Sequence, residues 1–195
     1  IFSRIPKTAS TSIMYSITTE RRTWKNVTWV KNPEIFDLNH IPLPFLKEVM
    51  HKERYNNFFK FSFVRNPWAR AYSQYRYAFQ WNQGKKSPVK IGSFEDFVHR
   101  LDDPSADWYS KTRWTQAFYC QGVDFIGRFE NLHADYKEMR RTWWAFRRKA
   151  KWGIIHKNKN TVKSRKPYQG AYTEETKKII ATKYEEDIDL FKYTF

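Results

Sequence analysis

Ile1-Phe2-Ser3-Arg4-Ile5-Pro6-Lys7-Thr8-Ala9-Ser10-Thr11-Ser12 is the stretch whose reading decides the fold. Its apolar residues Ile1, Phe2 and Ile5 read as a short buried strand, which Pro6 ends because proline supplies no N–H to a ladder. One lysine and four hydroxyl residues (Thr8, Ser10, Thr11, Ser12) come next, followed by Ile13, Met14 and Ile17 at helical spacing. The order is strand, polar loop, helix. Backbone N–H groups at a helix start point outward unpaired, so hydroxyls and Lys7 placed there form a socket for a phosphate or sulfate group. A serine- or threonine-capped helix with Lys7 on the surface accounts for the same residues without any ligand. The loop holds no glycine and is therefore not a Walker A sequence.

Outward from this stretch, strands and helices alternate. A helix is expected over residues 11–22, a strand over 27–30 (Val-Thr-Trp-Val) and an irregular segment over 33–40. Pro42 and Pro44 suit the first turn of a helix running to about Met50. The run Phe58-Phe59-Lys60-Phe61-Ser62-Phe63-Val64 is nearly continuous in its apolar content, the pattern of a central strand covered on both faces. It leads into Arg65-Asn66-Pro67 and a helix over 67–81. Ser93 can cap a helix carrying Phe94, Phe97, Val98 and Leu101, with Glu95 and Asp96 in its dipole-favoured first turn. Further helices are expected over 111–119, 131–150 and 173–191, with a strand over 124–129 and a basic loop over 154–172. The alternation implies an α/β layered fold with a central parallel sheet flanked by helices.

The 195 residues suffice for one domain with a sizeable core, and no Pro/Gly/Ser-rich linker divides them, so a single domain over 1–195 is expected. Nine Trp, twelve Tyr and sixteen Phe against six Gly exclude a disordered or fibrous chain. Cys120 is the single cysteine, which excludes an internal disulfide and a Cys-based metal site; no H-E-x-x-H or paired acidic motif suggests a metal either. No apolar run approaches the roughly 18 residues that span a bilayer. The chain opens inside a strand without an initiator methionine, which points to a missing upstream segment such as a leader or anchor.

Thirty-six basic against twenty acidic residues give a net charge of +16, which favours a polyanionic partner. Between Lys137 and Lys166 twelve residues are basic and only Glu138 is acidic, so that region carries much of the positive field. A nucleic-acid or polyanion-binding module would share this charge and the abundant aromatics, and a nucleotide-dependent kinase would share a phosphate loop.

Two motifs choose among these readings. Pro6-Lys7-Thr8-Ala9-Ser10-Thr11-Ser12 resembles the 5′-phosphosulfate loop of sulfotransferases that use 3′-phosphoadenosine 5′-phosphosulfate (PAPS). Most of the carbohydrate-type branch carries glycine where Ser10 stands, whereas the same heptapeptide occurs in the uronosyl 2-O-sulfotransferases. Arg65, at the carboxyl end of the central strand, and Ser73, two helical turns on, can hold a phosphate jointly, although an arginine there can equally pair with a local carboxylate. The string from Phe61 to Ser73 resembles the family's 3′-phosphate motif, an arginine after a strand with a serine eight residues later. Asp124-Phe125-Ile126-Gly127-Arg128-Phe129-Glu130-Asn131-Leu132, His156-Lys157-Asn158-Lys159-Asn160 and Asp187-Ile188-Asp189-Leu190-Phe191-Lys192-Tyr193 resemble its F-I-G-R-x-E-x-L, H-x-N-K and closing D-x-x-x-F-x-Y segments, so the resemblance covers nearly the whole chain.

The resemblance implies a fold related to the nucleotide kinases and transfer of a sulfuryl group from PAPS to a hydroxyl acceptor, most naturally a carbohydrate, without a metal and without nucleic acid as partner. Lys7 would neutralise the leaving phosphate, with Thr8, Ala9, Ser10, Thr11 and Ser12 around the phosphosulfate. Arg65 and Ser73 would hold the 3′-phosphate, and Arg128, Lys159 and Lys163 would add nucleotide contacts, with Arg165 a further basic loop residue. His40, in Asn39-His40-Ile41-Pro42, is the candidate base, since an imidazole with an ordinary pKa of about 6.5 is mostly unprotonated near neutrality. A structural role for His40 stays open, with Glu34 and Asp37 as alternative bases. Family members occur as soluble microbial or viral proteins and as anchored Golgi enzymes. The short core and single cysteine favour the soluble cytoplasmic case, and a missing anchor would favour the Golgi lumen.

Overall fold

The computed structural model describes residues 1–17, 40–82, 90–106, 108–142, 154 and 167–195. In chain order the first elements are β1 (Phe2–Ser3), α1 (Ser10–Ile17), α2 (Leu43–Val49), α3 (Lys52–Asn57) and β2 (Phe61–Val64). Next come α4 (Pro67–Asn82), α5 (Phe94–His99), α6 (Tyr109–Thr112), α7 (Gln116–Tyr119), β3 (Phe125–Arg128) and α8 (Leu132–Thr142). The last two are α9 (Glu174–Lys183) and α10 (Glu185–Phe191). These elements fall into two units, Ile1–Val64 with Phe118–Thr161, and Arg65–Ala117 with Val162–Phe195. No helix among the described residues is long and apolar enough to cross a membrane.

The first unit holds the parallel sheet, in the order β1-β2-β3 with β2 central. All four β2 residues are buried, as the near-continuous apolar run requires. Phe61 and Phe63, two residues apart and so on one face, pack with Ile13 of α1, Tyr136 and Met139 of α8, and Ile154. Helices therefore cover the sheet. Burying each of these phenylalanines contributes about 1.5–3 kcal/mol. On the alternate face Ser62 donates to the Ser3 carbonyl at 2.8 Å, so its hydroxyl is satisfied inside the sheet. Opposite Phe63 in register stands Gly127, where a Cβ would lie 2.3 Å from the Phe63 ring. Only a glycine lets that ring lie over the third strand.

The second unit is helical. α4 packs against α5 and α9, with Tyr72, Tyr75, Phe94, Phe97, Trp108 and Tyr172 forming a chain of ring contacts with centroids 4.7–6.2 Å apart. Ser93 caps α5 by accepting from the Asp96 N–H at 3.0 Å, and Thr173 and Thr176 close a reciprocal capping box on α9.

Three expectations change. The helix expected over 111–119 is two single turns, α6 and α7, because the buried Asp187 carboxylate accepts from the N–H groups of Gln116 and Ala117 (2.8 Å for Ala117) and starts a new turn there. The helix expected over 173–191 breaks at Tyr184. Its ring lies fully buried under the Arg70 guanidinium (4.7 Å) and its hydroxyl donates to the Thr112 carbonyl at 2.8 Å, with burial pushing the phenol up to about 12. The central strand begins at Phe61 rather than Phe58, since Phe58 ends α3 and the Lys60 backbone is taken up by Asp124. The strand over 27–30 and the far parts of the helices over 11–22 and 131–150 lie outside the described residues.

Candidate functional site

The loop after β1 takes its shape from two residues in left-handed backbone, Lys7 (φ 67°) and Ala9 (φ 60°). A non-glycine residue there costs about 1–2 kcal/mol, so the surrounding contacts must hold it. Thr8 between them is fully buried and donates its hydroxyl to the Ile5 carbonyl at 3.0 Å, closing the turn. Ala9 then accepts the first helical hydrogen bond, from the Ile13 N–H at 3.0 Å. The N–H groups of Ser10, Thr11 and Ser12 are therefore those of a helix start, the donors that suit an anion. Ser10 and Ser12 are buried, while Lys7 and Thr11 are half-buried.

Ser10 itself is the first residue of α1 and has no left-handed backbone. The glycine that most of the carbohydrate-type branch carries at this place thus meets no conformational demand in this loop, and serine fits.

His40 belongs to the same unit. Its Nδ1 lies 2.7 Å from the carbonyl oxygen of Arg4, the residue after β1 and three before Lys7. A carbonyl only accepts, so Nδ1 carries a proton in this bond, and in a neutral ring the lone pair would then sit on Nε2. The Tyr119 hydroxyl donates to the His40 carbonyl at 3.0 Å, and Ser3 donates its own hydroxyl to the Tyr119 carbonyl at 3.0 Å. These bonds tie His40 to the end of β1. The imidazole is thus held against the chain between β1 and the Lys7 loop, through Arg4.

In the second unit Arg65 follows β2 directly, half-buried, and its backbone is held on both sides by one side chain. The Arg65 N–H donates to Gln116 Oε1 at 2.9 Å and Gln116 Nε2 donates to the Arg65 carbonyl at 2.8 Å. Asn66 caps α4, accepting from the N–H groups of Trp68 (3.1 Å) and Ala69 (3.3 Å), and donates to the Thr194 carbonyl at 2.7 Å. Ser73 lies half-buried on α4.

A family model described as "Sulfotransferase family" matches residues 1–194. The chain belongs to the sulfotransferase family. No curated protein and no solved structure is similar enough to match. As a sulfotransferase it is an enzyme that transfers a sulfuryl group, and its α/β fold with a parallel sheet flanked by helices agrees with the family.

Not every residue expected in the sulfotransferase site falls in the described part. Lys159, Lys163 and Arg165, and the alternative bases Glu34 and Asp37, lie outside it. Arg128 ends β3 with its side chain exposed, and its N–H donates to Asp135 Oδ2 at 2.6 Å, an anchor for the start of α8. Gln116 and Tyr119 were missed by the sequence reading. Neither sits in a recognisable motif, because each acts on a residue 51 or 79 positions away. Glu95, His99 and Glu175 bring possible metal-ligand atoms within 4.8 Å of one another at the exposed surface of the second unit, a grouping the sequence did not signal either.

Proposed function

We propose that this sulfotransferase takes its sulfuryl group from PAPS and passes it to a hydroxyl of a carbohydrate. The observation that supports the reading best is the hydrogen bond from His40 Nδ1 to the carbonyl of Arg4, three residues before Lys7, which leaves Nε2 as the nitrogen able to take a proton. The acceptor oxygen attacks sulfur in line as the bridging S–O bond to the 5′-phosphate breaks, and 3′-phosphoadenosine 5′-phosphate leaves. Charge grows on the leaving phosphate oxygen, where a cation and helix-start donors act most strongly. Lys7 supplies the cation, and the backbone and hydroxyls from Thr8 to Ser12 supply the donors. His40 Nε2 takes the proton of the acceptor hydroxyl.

Arg65 and Ser73 are the residues we assign to the 3′-phosphate, which separates PAPS from nucleotides lacking it. Arg128, Lys159 and Lys163 complete the nucleotide contacts in this reading. The net charge of +16 supports an acceptor that is itself anionic, such as a uronic-acid-containing or sulfated glycan. A panel of neutral and anionic glycans and small alcohols, offered with sulfur-labelled PAPS, tests the reading. Label should pass to glycans, most readily to anionic ones. Label passing only to small alcohols would reject the carbohydrate assignment, and no label passing from PAPS would reject the donor.

A further inference from the structure

We propose that Gln116 is a positioning residue for Arg65, setting the selectivity of this enzyme for a 3′-phosphorylated nucleotide. The proposal rests on the assignment of Arg65 to the 3′-phosphate. Where β2 ends at Val64 the ladder to β3 also ends, with Val64 opposite Arg128. The next peptide groups leave the sheet, yet the Arg65 N–H and carbonyl are both paired, at 2.9 and 2.8 Å, by one side-chain amide. A primary amide offers the donor and acceptor of a peptide group, so Gln116 acts as a one-residue extension of the ladder.

Gln116 is fully buried and is itself held from a distant part of the chain. Asp187, also fully buried, hydrogen-bonds to both the backbone and the side chain of Gln116 and accepts from the Ala117 N–H at 2.8 Å. The Gln116 amide is thereby fixed in one orientation, carbonyl toward the Arg65 N–H and amino group toward the Arg65 carbonyl and Asp187. Arg70, buried beside Asp187, supplies the balancing charge. On the other side of Arg65, Asn66 is fixed by the α4 cap and by Thr194. Arg65 is thus the residue whose backbone is clamped while its side chain does the binding. A guanidinium that must meet a phosphate in bidentate geometry gains from such a fixed origin, because less freedom is lost on binding.

The test compares 3′-phosphoadenosine 5′-phosphate with adenosine 5′-phosphate, by calorimetric titration, on three proteins. The wild type should prefer the 3′-phosphorylated ligand, and Arg65→Ala should abolish the preference. Gln116→Met keeps the volume and removes both hydrogen bonds. It should weaken the 3′-phosphorylated ligand about tenfold while leaving adenosine 5′-phosphate unchanged, and at saturating PAPS kcat should stay within about twofold of wild type as KM rises. Equal weakening of both ligands, or of neither, overturns the proposal whatever happens to the melting temperature. If Arg65→Ala keeps the preference, the assignment of Arg65 fails instead. Should Gln116→Met not fold, amide exchange of the wild type decides. The Arg65 amide should gain protection with the 3′-phosphorylated ligand and not with adenosine 5′-phosphate, and equal protection by the two overturns the proposal.

Discussion

The loop over residues 6–12 and the turn at residues 65–66 are both assigned to anions, and they are built by opposite means. In the loop the shape is local: two left-handed residues, one hydroxyl closing back three positions and the first turn of α1 account for it. At Arg65 and Asn66 the shape is imposed from far along the chain, by Gln116 at 51 positions and Thr194 at 128. A local socket can be recognised in a dozen residues. A socket built by distant partners leaves in its own sequence only the residue that binds, and its supports are found only once the chain is folded.

The contrast can be broken at several points, taken here from the largest expected effect down. His40→Ala should lower kcat about 10²–10⁴-fold, the usual contribution of a positioned base, with nucleotide affinity unchanged. Steady-state transfer together with nucleotide titration checks this, and a normal kcat would move the base elsewhere. Gly127→Ala reaches the loop only through the sheet behind it. Its methyl would collide with the Phe63 ring, and a loss of about 1–3 kcal/mol is expected in urea unfolding. If the loop is locally determined, the folded fraction of that variant should retain nucleotide binding.

Asn66→Ala removes the α4 cap and the bond to Thr194, with about 1 kcal/mol lost in the same unfolding experiment. Selectivity for the 3′-phosphate should fall with it, since the distant side of the contrast depends on such bonds. The smallest effect is expected from Ser10→Gly, which restores the glycine common in the carbohydrate-type branch. Because Ser10 is helical and not left-handed, activity should not rise and stability should drop by no more than about 1 kcal/mol, read by thermal melting. A gain in both would mean that the loop is strained at this position.

The same division governs how much of the molecule was legible in its sequence. The parallel sheet, the proline-led α2, the capped α5 and the strand–loop–helix opening follow from patterns a few residues long, although β1 is confined to Phe2–Ser3, short of Ile5, and β2 starts only at Phe61. The breaks at residues 113–115 and at Tyr184 were not legible, since helical spacing runs through both. Burial of Asp187 and the Tyr184 bond to Thr112 decide them. α3 escaped for a related reason: Lys-Glu-Arg-Tyr-Asn-Asn offers a single buried residue, Tyr55, too little for a periodic signal. Of the residues proposed for the site, Lys7, His40 and Arg65 were readable as residue types, while the bonds holding Nδ1 of His40 and the Arg65 backbone were not.

Transfer of labelled sulfate from PAPS by Lys7→Ala bears most directly on the central claim, that the left-handed loop after β1 stabilises the departing phosphate. Alanine already occupies left-handed backbone two residues on, so the loop should keep its shape and the melting temperature should hold. The account predicts a fall in kcat of about 10²–10³-fold. Transfer at near wild-type rate by a folded Lys7→Ala protein would contradict it.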